Sequence, residues 1–213
     1  MVCLLFDNDG TLVESEQLCC EALAQVYLDE KHLALDAQEL FHRFRGWQLT
    51  LILDTIASET GMAVNEQFVA IYRRRMYEVL QRDLCAVDGI PEVLPQLPQN
   101  KCVVSNGPLE KIRSALRVTR LDHHFGDRLF SAYDCGFWKP DPRLFLHAAA
   151  AMGASPEDCA VVEDSLVGVR AAVAAGMQAL FYNRYHDPLD AELAENVTEF
   201  REMRALPTLL QSL

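Results

Sequence analysis

The chain has 213 residues, half of them hydrophobic and 23% charged, with a formal net charge of −12 at pH 7. So strong an acidic balance argues against nucleic acid or an anionic membrane surface as partner. An anionic substrate stays open, because a local cluster of Lys, Arg and a metal ion can reverse the field inside a cleft. The seven cysteines form an odd set with no Cys-x-x-Cys pair. No signal segment or membrane-length apolar stretch is evident, so a reducing cytoplasm is the expected home.

Residues 2–6 form a short, wholly apolar run, the pattern of a strand buried on both faces. It leads directly into Asp7-Asn8-Asp9-Gly10-Thr11-Leu12, which puts two carboxylates where the strand ends and the backbone must turn. In an open α/β sheet, ligands bind at that end of the strands. Two unit charges about 4 Å apart repel by roughly 4 kcal/mol at an effective dielectric near 20. A bound cation or a retained proton must offset this. Both remedies suit phosphoryl chemistry, in which one carboxylate attacks and the other handles a proton. Turn geometry alone is the competing reading of the same residues.

No strand pattern follows until residue 101. Helical patterns lie instead near 15–31, 36–44, 48–60 and 65–83, the last with an apolar stripe of Phe68, Val69, Tyr72, Met76, Val79 and Leu80. Arg73, Arg74 and Arg75 are successive, and helical neighbours point about 100° apart. They cannot all face one ligand, so most of them belong to a solvated surface. An insertion directly after the acidic turn suits a lid whose connections, near 11–16 and 83–89, flank the site. Further strands are predicted at 101–105, 128–131, 160–163 and 179–182. Between them lie a helix over 108–118 burying Leu109, Ile112 and Leu116, one opened by Asp141-Pro142 and ending near Gly153, and one capped by Ser165 and ending at Gly176. The alternation predicts an α/β, Rossmann-like parallel sheet with helices on both faces and an inserted all-helical cap. The core comprises 1–14 and 86–213, and the cap 15–85.

Three later strand ends carry matching chemistry. Ser105-Asn106-Gly107, with Pro108 opening the next helix, offers a hydroxyl and backbone N–H groups to phosphate oxygens, or an ordinary capped turn. Lys139-Pro140 sets a cation in a rigid segment, although a loop lysine is commonly just solvated. Glu163-Asp164 before Ser165 is an acid pair that could equally serve a helix dipole. Taken in order, Asp-x-Asp-x-Thr, Ser, Lys and Glu-Asp resemble the four motifs of the haloacid dehalogenase-like superfamily from one end of the chain to the other.

The resemblance implies a phosphatase. Asp7 matches the nucleophile that forms an aspartyl-phosphate, and Asp9 the general acid and base. Magnesium would be held by Asp7, the Asp9 carbonyl and Asp164, with Glu163 as supporting ligand or outer acid. Ser105, the Asn106 backbone and Lys139 would hold the transferring group. Asp9 speaks against a dehalogenase. Cys19 stands where mutases of the β-phosphoglucomutase type carry a cap His, and Leu49 where they carry an Arg after the cap Gly. Phosphonate hydrolases need a cap lysine, and Lys31 reads as a polar helix end. A phosphotransferase of the mutase type is the alternative, and a non-catalytic phospho-acceptor signalling module the remote one. The stretches 102–108, 129–134 and 138–142 resemble the sugar-phosphate phosphatases of the family. They imply a small sugar phosphate such as 6-phosphogluconate, turned over by a monomer or weak oligomer. Selectivity falls to the cap at Arg45-Gly46-Trp47-Gln48, where Arg45 could pair with a substrate carboxylate or simply end a surface helix, and Trp47 could be packing. His123-His124 suit a single metal ion poorly.

Overall fold

The computed structural model describes residues 3–211. Val2, which opens the first expected strand, and the extreme ends of the expected core segments lie outside that range. Six parallel strands form one sheet: β1 (Cys3–Phe6), β2 (Asn100–Ser105), β3 (Leu129–Ser131), β4 (Cys159–Glu163), β5 (Gln178–Tyr182) and β6 (Val197–Phe200). They lie in the order β3-β2-β1-β4-β5-β6, so the chain winds outward one way from β1 and then returns to wind the other way from β4. The change of direction falls between β1 and β4, where Phe6 is in register with Val162.

Alternation along each strand divides the core in two. Leu4, Phe6, Val103, Ala160, Val162 and Leu180 face one layer, and Cys3, Leu5, Cys102, Val104, Val161 and Phe181 face the other. The second layer is closed by α8 (Ala132–Cys135), α9 (Arg143–Ala151) and α10 (Leu166–Ala174), through residues such as Leu144, Phe145, Val169 and Ala172. The first takes α5 (Ile90–Val93), α6 (Leu109–Val118), α7 (Asp122–Phe125) and α11 (Leu206–Gln211), with Ile112, Leu116 and Phe125 buried against the sheet. All seven cysteines are free thiols. No helix among the described residues is long and apolar enough to cross a membrane.

Between β1 and α5 the chain forms four helices: α1 (Glu16–Lys31), α2 (Ala37–Phe44), α3 (Leu49–Thr60) and α4 (Glu66–Asp83). Their starts follow from side-chain caps. Asp36 accepts from the N–H groups of Gln38 and Glu39, and Asn65 from that of Phe68 at 3.0 Å. The buried residues of α4, Phe68, Tyr72, Met76 and Leu80, recur every four positions and pack on α1, where the rings of Tyr27 and Phe68 lie 4.7 Å apart. The two connections to the sheet run side by side. Glu14 N–H donates to Cys85 O at 3.0 Å, Val87 N–H to Leu12 O at 3.0 Å, and Val13 bridges Ala86. The helical segment thus enters and leaves through one paired strap beside the acidic turn.

Candidate active site

The end of β1 and the end of β4 meet where the winding reverses, the position at which open α/β sheets bind ligands. Asp7 N–H donates to Val162 O at 2.9 Å, so Asp7 sits beside the next two residues of the β4 end, Glu163 and Asp164. Asp7, Glu163 and Asp164 are buried, and each offers a carboxylate oxygen within 4.8 Å of the others. The turn that allows this needs Gly10. Its φ is +85°, and a Cβ there would stand 2.3 Å from Asp164 Oδ2.

Lys139 reaches into this cluster from the loop before α9, its Nζ 2.6 Å from both Asp7 Oδ1 and Glu163 Oε1. The other Glu163 oxygen accepts from the Ser165 N–H at 3.0 Å and hydroxyl at 2.9 Å, while Ser165 Oγ accepts from Gly168 N–H at 3.1 Å to cap α10. Both oxygens of Glu163 are therefore engaged, and it acts here by orienting Lys139. Asp164 is different. One oxygen accepts from the Thr11 hydroxyl at 3.2 Å, and the other is buried with no hydrogen-bond partner.

Asp9 faces a separate set of donors: the Ser15 hydroxyl, Lys111 Nζ at 2.5 Å and the Ser105 hydroxyl at 3.4 Å. The Asn106 side chain accepts from Lys139 N–H at 2.8 Å and donates to Lys139 O at 3.3 Å and Gly46 O at 3.5 Å. It ties the lysine loop to the helical insertion.

Charge follows this layout. Burial raises the pKa of Asp7 well above the usual carboxylate range; Lys139 opposes the rise, and Glu163, Asp164 and Asp9 reinforce it. Burial and Glu163 push Asp164 up to about 7 against the pull of Arg45 and Arg184. Burial also works on Asp9, but the charge of Lys111 and the hydrogen bonds from Lys111 and Ser15 win and hold it below its ordinary value. Lys139 is driven down by burial and more strongly up by Asp7 and Glu163, so it stays an ammonium. The site holds an ionised Asp9 beside a cluster of carboxylates short of positive charge.

These groups form the floor of a cavity of about 260 Å3. Its walls come from the helical insertion, including Cys19, Gly46, Trp47, Gln48, Tyr72, Arg73 and Met76. Gly46 N–H donates to Glu16 at 2.9 Å, and a Cβ on Gly46 would sit 2.8 Å from Ser165 Cβ, so the Arg45–Gln48 loop presses on the α10 cap. Trp47 is 44% exposed, with its ring edge-on to Phe44 at 5.4 Å, which makes it wall rather than core. Arg45 lines the cavity, but its guanidinium is bound to the Asp187 carboxylate and lies 4.5 Å over the Tyr185 ring. His123 and His124 stack on α7 at 3.9 Å, away from this lining.

Sequence reasoning brought together Asp7, Asp9, Ser105, Asn106, Lys139, Glu163 and Asp164, and the structure gathers all seven around one cavity. It missed Lys111, Ser15 and Glu16. Lys111 belongs to the first turn of α6, which starts directly above the Ser105 strand end; that placement was the available signal.

A family model described as haloacid dehalogenase-like hydrolase matches residues 1–176. The chain belongs to that family. It is 36% identical over 97% of its length, and 93% of the relative's, to the 6-phosphogluconate phosphatase of Escherichia coli K12. To the validoxylamine A 7'-phosphate phosphatase of Streptomyces hygroscopicus it is 32% identical over 86% of each chain. The crystal structure of a haloacid dehalogenase-like protein from Agrobacterium tumefaciens superposes with a TM-score of 0.81 at 29% identity, covering 99% of this chain and 97% of that one.

Proposed function

We propose that this phosphatase of the haloacid dehalogenase-like family hydrolyses a small sugar phosphate, with a phosphorylated sugar acid such as 6-phosphogluconate as the favoured substrate. One observation carries the reading: the Asp7 and Asp9 carboxylates share a cavity floor with Lys139 and the Ser105 hydroxyl. Likeness to a phosphatase named for 6-phosphogluconate over nearly the whole chain supports the substrate class.

Asp7 would attack phosphorus and break the ester P–O bond to give an aspartyl-phosphate; Asp9, ionised before substrate arrives, would take up the proton of a phosphate monoanion as it binds and pass it to the leaving oxygen. Asp9, again ionised, would then take a proton from the water that attacks the aspartyl-phosphate and regenerates Asp7. The pull of Lys111 on Asp9 favours the ionised form that the second half requires. Lys139, itself positioned by Glu163, and Ser105 would bind the equatorial phosphoryl oxygens, where negative charge is spread in transfer. The unpartnered Asp164 oxygen and the three carboxylates within 4.8 Å of one another fit a hard divalent cation. Asp7, Asp164 and the Asp9 carbonyl would hold magnesium, which supplies charge neutralisation at the phosphoryl group when bound.

The mutase alternative is less favoured on a local ground. Burial pushes the Cys19 thiol beside Asp9 up to about 11, which leaves it neutral and unsuited to passing protons near pH 7. The test is product analysis with magnesium present. 6-Phosphogluconate and an aryl phosphate should release inorganic phosphate, and glucose 1-phosphate should give phosphate without 6-phosphate isomer. Failure on every ester, or a stable phospho-protein without turnover, would overturn the reading.

A further inference from the structure

Four cations line the cavity, and three of them are already committed. Lys139 is held by Asp7 and Glu163, Lys111 by Asp9, and Arg45 by Asp187. Arg73, the fourth, has no carboxylate partner among the described residues, and the nearby Arg75 pairs with Asp29 at 3.1 Å on another face of α4. The neighbours of Arg73 along α4, Tyr72, Met76 and Tyr77, line the same cavity, so this stretch of the helix forms the wall on the insertion side.

We propose that Arg73 is the specificity-determining residue of this site, and that it binds a second anionic group, a carboxylate remote from the phosphoester. The proposal rests on the phosphatase reading above and adds to it the group that recognises the non-reacting end. Its physical basis is a difference in what each arginine must give up. The Arg45 side chain is only 10% exposed and compensates Asp187, with Asp164 Oδ2 also 3.9 Å from its Nε. A substrate carboxylate that took Arg45 would strip both acids of their counter-charge and gain little net. Arg73 is exposed and gives up only water, so a carboxylate bound there makes a new charge-assisted contact. With the phosphoryl end bound at the floor, the extended length of a sugar acid places its opposite end toward the insertion.

The experiment uses 6-phosphogluconate and glucitol 6-phosphate, two acyclic esters that differ in a carboxylate against a hydroxymethyl group. Calorimetric affinities with magnesium are measured on Asp7→Asn, which cannot turn over, and on Asp7→Asn with Arg73→Ala. The ratio of the two affinities should fall by about 10- to 150-fold on loss of Arg73. In the otherwise native enzyme the ratio of kcat/KM values should fall in parallel, and Arg73→Lys should recover part of it. Arg45→Ala should weaken both esters together and leave the ratio alone. An Arg73→Ala ratio within about threefold of the native one, or a ratio that collapses in Arg45→Ala instead, would overturn the assignment. Because aryl phosphate turnover by the native enzyme reports the phosphatase reading separately, a failure of that reading is distinguishable from a failure of this one.

Discussion

Replacing Asp164 with Asn should make the metal-free protein more stable while removing its response to magnesium. Asp164 is 2% exposed, one of its oxygens has no partner, and its pKa lies near 7 against an ordinary 3.8. Between about pH 4 and pH 7 the folded state therefore keeps a proton that the unfolded chain has released, and stability falls as pH rises. At about 1.4 kcal/mol per pH unit, a gap of roughly three units amounts to about 4 kcal/mol, level above pH 7. Asp7 and Glu16, also raised by burial, push in the same direction. Asp9, which is lowered, acts in the opposite sense and only as pH drops below about 4. Asn at 164 carries no charge and escapes this penalty. For a chain of this size about 1 kcal/mol is worth roughly 2–4 °C in Tm, so Asp164→Asn without metal should melt roughly 8–16 °C above the native protein at pH 8 and less than half as far above it at pH 5. Magnesium must displace the same proton, so its stabilisation should grow with pH. At about a hundredfold over its dissociation constant it gives about 2.7 kcal/mol, and most of that disappears when protons compete at pH 5. Differential scanning calorimetry in chelator and in magnesium, at both pH values, reads all four numbers. A native magnesium shift equal at pH 5 and pH 8, or an Asp164→Asn protein no more stable than native at pH 8 in chelator, would refute the reasoning.

Lys111→Met removes the main influence that opposes burial at Asp9, so the acidic limb of the kcat profile should move to higher pH, as measured with an aryl phosphate from pH 5 to 9; an unmoved limb would show that Lys111 does not tune Asp9. Asp187→Asn releases Arg45 from its partner across the Tyr185 stack. It should raise KM severalfold for charged and neutral sugar phosphates alike with little change in kcat, and a selective loss on the sugar acid would instead make Arg45 the carboxylate reader.

Most of the floor was legible because the Asp7, Ser105 and Glu163-Asp164 motifs each sit at the end of an all-apolar run; Lys139, expected at a strand end, lies instead in the loop between α8 and α9. Such runs have a single reading in a parallel sheet, and the polar residue that stops each one must then lie at the ligand end. The helices of the insertion were legible from spacing, with ends within a residue or two of Asp36, Asn65 and Gly61. β6 was not, because Val-Thr-Glu-Phe at a sheet edge pairs with β5 alone and carries too little apolar signal. α7 and α8 are single turns, below the length at which period shows. The cation partners were hidden for a different reason. Lys111 on Asp9, Asp187 on Arg45 and Arg184 on Glu14 are 102, 142 and 170 residues apart in sequence, and no local pattern encodes which arginine finds which acid. The reading of Arg73–Arg75 as mainly a solvated row holds, since Arg73 and Arg74 are exposed and half-buried Arg75 pairs across to Asp29; what spacing did not show is that Arg73 also lines the cavity.

Charge explains why this arrangement should need a metal at all. Six carboxylates and four cations line the cavity among the described residues, so it is short of positive charge before any phosphate arrives. Protons could make up the deficit, and the raised pKa values of Asp7, Asp164 and Glu16 show where they would go. Protonating Asp7, however, would remove the negative charge that makes its carboxylate the nucleophile of the proposed attack on phosphorus. Lys139 cannot supply the difference, since Glu163 already shares it. On the reading proposed above, a divalent cation held by Asp7 and Asp164 would restore the balance and leave Asp7 ionised, whereas acid would restore it by disabling the nucleophile. The same carboxylate crowding that raises the pKa values of Asp7 and Asp164 would then favour a cation over a proton, and it would couple metal affinity to the ionisation that the proposed reaction needs.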